Sequence, residues 1–227
     1  MPRRYFIPLL LLISSGIVSQ EAIRGMVRIE MEPLYIWNRD VPRPGYDTTI
    51  AHTRALQEAQ VYFSGMIYGW SFYYDIGERA RGIAEEIELE PLGTIEFGDP
   101  SLRATDAQFR DASLYVWMDY ELNEFQKRRI GAWTAGRARN IQAHGYGPLG
   151  GPVEESDWIT IKQTALEDAA RAGIRAMLRG NERNRPKAVR GFIALAEFPS
   201  FWIEAGRWTA SARFRVEVQE IIPFSAY

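Results

Sequence analysis

Apolar residues recur with helical spacing along residues 158–179 (WITIKQTALEDAARAGIRAMLR). Leu166, Ala170 and Ile174 fall on one stripe of this predicted helix, and Gly180 marks its end. The small residues on the stripe predict a close approach to a sheet. The charged residues are expected to face largely away from the stripe; they are Lys162, Glu167, Asp168, Arg171, Arg175 and Arg179.

A second amphipathic helix is predicted earlier in the chain. It starts with a cap at Asp47 or Thr48 and runs to about Gly65 or Gly69. It contains the stretch ALQEA at residues 55–59, and the first helix contains the similar ALEDA at 165–169. A match between the segments that follow the two helices would indicate that one structural unit occurs twice.

Strict alternation of apolar and polar residues predicts strands after both helices. Residues 208–219 (WTASARFRVEVQ) place Phe214 inward and Arg213 outward, which is typical of a strand with one buried face. Residues 112–122 (ASLYVWMDYEL) alternate in the same way. The β-prone stretches 93–98 and 188–197 precede these two strands, so each helix is followed by a predicted hairpin.

The two predicted hairpins align under a shift of 98 residues. This shift lays Ile95 on Ile193 and Leu114 on Ala212, so inward residues match inward residues in both strands. The helices match under a shift of 110 residues. We predict an α+β fold of two similar helix-plus-antiparallel-hairpin units packed together. The alternative is that alternating strands align by pattern alone.

The predicted duplication divides the chain into consecutive segments. A strand is predicted within 22–37, and the insertion in the first unit combines a β-prone stretch with a helix at 78–88. The predicted organisation is a signal peptide (1–20), a first unit (21–125) with an insertion at about 70–90, a connector (126–155) and a second unit (156–227).

The first twenty residues have the pattern of an export signal. Arg3 and Arg4 precede a short apolar run at residues 6–13, and cleavage is expected near Ser19 or Gln20. The alternatives are an uncleaved anchor and a buried N-terminal segment. The arginine pair also fits twin-arginine export, whereas the short, strongly apolar run favours the general secretory route. No later stretch is apolar enough to span a membrane, so we expect no transmembrane span after removal of the signal.

Composition narrows the class of protein further. The net charge of −2 provides no basic field for nucleic acid, so no nucleic-acid partner is expected. The chain has no cysteine, which excludes disulfides, thiolate metal sites and a cysteine nucleophile. An exported chain held together by its apolar core fits a bacterial periplasm or envelope.

The sequence offers no recognisable catalytic, cofactor or metal motif. The two histidines, His52 and His144, have no ligand spacing, and no serine lies in a nucleophile-elbow context. We therefore expect no catalytic, cofactor-binding or metal-ligating residues.

A candidate binding surface lies on the outward face of the strand at 112–122. Its residues are Tyr115, Trp117, Asp119 and Glu121. Exposed aromatic residues are typical anchors for a protein partner or a glycan. Carboxylates two residues apart on a strand lie about 7 Å apart, a separation that a glycosidase could use. Core packing of the aromatics and ordinary surface charge are the simpler interpretations.

The helix, the hairpin and the final GRWTASARFRVEV strand resemble modules of exported envelope proteins, including the N-terminal part of the flagellar T-ring protein and related lipoproteins. The chain departs from the lipoprotein members because it lacks a cysteine. The resemblance implies a periplasmic, non-catalytic binding or assembly role with an envelope protein partner. The alternative is a secreted carbohydrate-active enzyme or glycan-binding module that uses Trp117, Asp119 and Glu121.

Overall fold

The computed structural model describes residues 21–30, 48–78, 81–111, 113–149, 157–179 and 186–223. Within them the chain forms three helices and nine strands. In chain order the elements are β1 (Ala22–Glu30), α1 (Thr48–Ile67), β2 (Trp70–Asp75), β3 (Glu86–Pro91), β4 (Leu102–Arg110), β5 (Ser113–Glu121), α2 (Glu124–Ala135), β6 (Arg139–Tyr146), α3 (Asp157–Arg179), β7 (Ala188–Leu195), β8 (Ser200–Glu204) and β9 (Arg207–Ile222).

The strands form two antiparallel sheets, which confirms the α+β class. The small sheet has the order β1-β5-β4. The large sheet has the order β3-β2-β7-β9-β6, and β8 also pairs with β9. The segments at 1–20 and 31–47 lie outside the described residues, and the predicted signal peptide lies within the first of them.

Helix α1 is shared by the two sheets. It packs against β1 and β5 of the small sheet and against β7 of the large sheet, while α3 packs on β6 and β9. Most inward side chains of both sheets and both helices form one core, and a smaller separate cluster contains Trp158, Ile161 and Trp208. Among the described residues, no helix combines the length and apolar character needed to cross a bilayer.

Small residues let α3 approach the large sheet closely, as its sequence predicts. A Cβ atom on Gly145 of β6 would lie 1.9 Å from the backbone nitrogen of Ala169. Gly173 of α3 leaves similarly little room beside Ile141. Glycine at these positions removes the side chain that would hold helix and strand apart.

The predicted alternation is confirmed along most of both long strands, but it fails at the two ends of β9, where Thr209 is buried and Val218 is 36% exposed. Leu114 and Val116 of β5 are buried, and so are Ala212 and Phe214 of β9. Trp117, between two inward residues of β5, is 40% exposed. The two strands therefore keep the inward phase that the sequence indicates.

Internal duplication is not shown by the structure. β2, from the first half of the chain, pairs with β7 from the second half, so the halves share the large sheet. The predicted strand at 93–98 is wrong, because this segment is a loop. Its Ile95 is buried, but its carbonyl accepts a hydrogen bond from Gln60 Nε2 and its N–H donates to Ser64 Oγ, both on α1. Side chains of α1 thus provide the hydrogen-bond partners that a neighbouring strand would otherwise provide for Ile95.

The structure shows regular elements in two further segments that the sequence describes differently. The helix predicted at 78–88 is wrong: Glu86–Pro91 is strand β3, because its alternating glutamate and apolar residues pair with β2. The predicted connector at 126–155 contains most of α2 and all of β6. Asn123 starts α2 with a capping box in which its side chain and that of Gln126 each bond the other's backbone N–H.

Candidate functional site

The four predicted surface residues lie together on the outward face of β5. Trp117 and Glu121 are exposed, whereas Tyr115 and Asp119 are partly exposed. Met26 of the neighbouring strand β1 lies opposite Trp117 and is 43% exposed. We call Met26, Tyr115 and Trp117, with the arginines around them, the small-sheet strip.

The arginines of the strip stack on its aromatic rings. The Arg24 guanidinium carbon lies 5.9 Å from the centroid of the Trp117 ring. The Tyr115 ring has Arg28 at 5.8 Å and Arg110 at 5.2 Å. A guanidinium group and the face of an aromatic ring attract each other electrostatically. This attraction holds the long arginine side chains against the sheet.

The carboxylates of the strip are engaged by arginines. Arg24 donates from Nε to Asp119 Oδ1 at 2.6 Å and from Nη2 to Asp119 Oδ2 at 3.0 Å. This hydrogen bond, and the negative charge of Asp119, raise the pKa of Arg24. Glu121 lies 3.4 Å from Arg103. Both carboxylates therefore stand in ion pairs.

A buried polar cluster, which the sequence analysis missed, joins α1 to α3. Glu58 of α1 accepts hydrogen bonds at Oε1 from Lys162 Nζ at 2.7 Å and from Trp158 Nε1 at 2.9 Å. Its Oε2 accepts a hydrogen bond from the Tyr62 hydroxyl at 2.9 Å. All four residues are buried, so their polar groups satisfy one another away from water.

The Lys162 ammonium also lies against aromatic rings and a second carboxylate. Its Nζ is 4.6 Å from the centroid of Trp208 and 5.3 Å from that of Phe201. Glu30 at the end of β1 places Oε2 at 3.8 Å from the same nitrogen. Burial raises the pKa of Glu30, although the positive charge of Lys162 acts in the opposite direction. Burial and the charge of Glu58 raise the pKa of Tyr62 well above its usual value.

The expectation that Lys162 faces away from the buried stripe of its helix is wrong. Lys162 stands four residues after Trp158 and four before Leu166, and both of these neighbours are buried. That spacing could have placed it on the inward face. Because the ion pair is enclosed, it connects helices and offers no group to a substrate.

The described residues contain no group of three or more histidines, aspartates or glutamates placed to hold a metal ion. His144 lies on β6, where its ring makes an edge contact with Trp202 at 5.9 Å. His52 lies exposed on α1.

Comparison with known proteins gives relatives and no function. An uncharacterised protein of Treponema pallidum (strain Nichols) is 23% identical over 199 residues, which cover 85% of this chain and 81% of the relative. No solved structure matches. Neither this relative nor the matching family model refers to a flagellar T-ring protein or an envelope lipoprotein. The chain belongs to the protein family whose model matches residues 16–224.

Proposed function

We propose that this chain is an exported protein of a bacterial envelope, which binds a protein partner through the small-sheet strip and catalyses no reaction. The observation that carries the proposal is the outward presentation of Met26, Trp117 and Tyr115 on a paired sheet. A strand fixes these side chains in position, so a partner meets a surface that needs little ordering on binding.

The residue types of the strip favour a protein as the partner. Tryptophan, tyrosine and arginine are over-represented among the residues that dominate protein–protein binding energies. The strip combines all three, and its cross-strand ion pair between Arg24 and Asp119 holds one arginine beside the central ring of Trp117. Such a surface presents a flat apolar centre within a polar rim.

The binding proposal is tested by site-directed photocrosslinking in the native host. A benzophenone amino acid replaces Trp117, and the matched control carries it at Tyr146, another aromatic residue that is 40% exposed on an outward sheet face. We expect a discrete adduct with one protein from position 117 and none from 146. Equal adducts at both positions, or no adduct at 117, would contradict the proposal.

The location is tested separately through a unique thiol. Because the chain has no cysteine, Glu204→Cys provides a single exposed site for a maleimide that crosses the outer but not the inner membrane. We expect labelling in intact cells and a mature chain that begins near residue 20. The predicted signal pattern and the resemblance to envelope modules support this location. Labelling only after cell lysis would refute it.

A glycan is the second candidate partner, since the exposed Trp117 ring lies beside two carboxylates, Asp119 and Glu121. The double variant Asp119→Ala/Glu121→Ala distinguishes the candidates. If the partner is a glycan, a folded double variant loses sugar binding or turnover. If it is a protein, neither the wild type nor the variant retains envelope oligosaccharides on an affinity column.

A further inference from the structure

A groove crosses the outward face of the large sheet, on a different sheet from the small-sheet strip. A cavity of about 400 Å³ lies over β2, β3, β7 and the end of β9, with Tyr73, Glu88, Glu90 and Phe192 in its lining. A second cavity of about 270 Å³, lined in part by Trp133 of α2, also contacts Phe192. Phe192 thus forms part of the floor of both cavities. We call the two cavities together the outer groove.

The outer groove carries carboxylates that have no cationic partner. Glu88 and Glu90 project outward from β3, and Glu217 projects from β9. Within the described part of the chain, none of the three lies within 4.0 Å of a lysine or arginine nitrogen. An occupant of the groove therefore meets negative charge that the described residues do not pair with a cation.

The two guanidinium groups of the groove are already engaged. Arg190 lies 3.4 Å from Glu220 and stacks over the Tyr73 ring at 5.3 Å. Arg129 donates hydrogen bonds to the main-chain carbonyls of Ile67 and Tyr68. The lining holds these two cations and four carboxylates, so it keeps a net negative charge; the carboxylates are Glu88, Glu90, Glu217 and Glu220.

We propose that the outer groove binds an extended, cationic segment of a protein partner, with an apolar side chain over Phe192. Two features support an extended segment. Outward residues two apart on β3, Glu88 and Glu90, are separated by about 7 Å, which is also the repeat of alternate side chains in an extended peptide. Apolar groups border the floor, including Leu92, which is 37% exposed, so charged and apolar contacts are both available.

The probe is a fluorescent hexapeptide of alternating lysine and leucine, titrated into the full-length chain and followed by anisotropy. A hexapeptide of alternating glutamate and leucine is the peptide control. We expect the lysine peptide to bind more tightly, with an affinity that falls as salt is added, because exposed charges are screened. Equal binding of the two peptides would overturn the proposal.

Charge-matched variants locate the binding. Glu88→Gln/Glu90→Gln removes two groove carboxylates, and Glu96→Gln/Glu204→Gln removes two exposed carboxylates elsewhere. We expect the groove variant to bind the lysine peptide about fivefold more weakly, since each exposed ion pair contributes modestly to affinity. The control variant should bind like the wild type. An equal loss in both variants would mean non-specific charge attraction and would overturn the proposal.

Two further measurements examine the parts of the site. Phe192→Ser should weaken binding of the lysine–leucine peptide more than that of a lysine–glycine peptide, and equal effects would remove the apolar contact from the proposal. A carbodiimide should couple peptide lysines to Glu88, Glu90 or Glu217, as mapped by mass spectrometry. Coupling confined to other carboxylates would overturn the proposal that the peptide binds in the outer groove. Neither result bears on crosslinking from Trp117, so this inference and the proposed function can fail separately.

Discussion

The Lys162 ammonium nitrogen lies 2.7 Å from Glu58 Oε1, and each side chain is 2% exposed. The two residues are 104 positions apart in sequence, and their pairing joins α3 to α1. Since α1 also packs on β1 and β5, the ion pair connects the large sheet to the small one through the helices. It is thus a structural element of the core.

Lys162→Met should destabilise the protein by about 3–5 kcal/mol, because it leaves the Glu58 carboxylate buried without its cation. The measurement is urea unfolding followed by circular dichroism. The matched control is Lys127→Met, which removes an ion pair with the exposed Glu124. The control should change stability little, and equal losses in the two variants would contradict the structural role of the buried pair.

The double variant Glu58→Gln/Lys162→Met should regain at least half of that loss. Glutamine keeps an acceptor for Trp158 Nε1 but removes the unpaired charge that makes the single variant unstable. Unfolding of both single variants and the double variant forms a mutant cycle. Additive losses would show that the two residues do not interact.

Glu30→Gln should stabilise the protein at neutral pH. Burial raises the pKa of Glu30 above its ordinary value of 4.5, so the folded state favours the protonated carboxyl, and stability is lost as the pH rises through the raised pKa. Glutamine avoids this loss. The advantage of the variant at pH 7 should disappear below about pH 4, where Glu30 is protonated in both states. A variant less stable than the wild type at pH 7 would contradict this sign.

Gly145→Ala should cost about 1–3 kcal/mol, because the new methyl group would push β6 away from the backbone of α3. Gly131→Ala is the matched control, since a Cβ there meets nothing within 4 Å and the residue lies inside α2. The control should stabilise the protein by about 0.5–1 kcal/mol. Thermal unfolding measures the stability of both variants. We expect changes of opposite sign, a loss for Gly145→Ala and a gain for Gly131→Ala.

Trp208→Ala should destabilise the protein by about 3–5 kcal/mol, since Trp208 is buried between Trp158 and Phe201. Trp117→Ala should change stability by less than about 0.5 kcal/mol, because its ring faces outward. Denaturant titration of both measures the difference. A large loss from Trp117→Ala would mean that the strip is needed for folding, and its proposed binding role would lose its main support.

The periodic parts of the fold could be predicted from local pattern. The repeat predicts helices α1 and α3 and strands β5 and β9, with the inward phase of most of their side chains, because the pleat and the helical turn repeat along the sequence itself. The placement of Tyr115 and Trp117 on one outward face follows from the same two-residue repeat. β3 was mistaken for a helix because its glutamates favour helix locally, whereas pairing with β2 decides its conformation.

Local sequence pattern does not predict the burial of Lys162. A lysine on an amphipathic helix is normally solvated, and only the arrival of Glu58 from a distant helix makes its burial favourable. Likewise, the outer groove exists because Glu88 on β3 and Glu217 on β9 lie on one face of the assembled sheet.

The sequence by itself determined helices α1 and α3, strands β5 and β9 and the face of most of their side chains, because these depend on neighbours a few residues away. Only the tertiary structure decided that β2 pairs with β7, that Lys162 meets Glu58, and which carboxylates have no cationic partner among the described residues. Those relationships join residues far apart in the chain, and their free energy depends on which surfaces meet when the core closes.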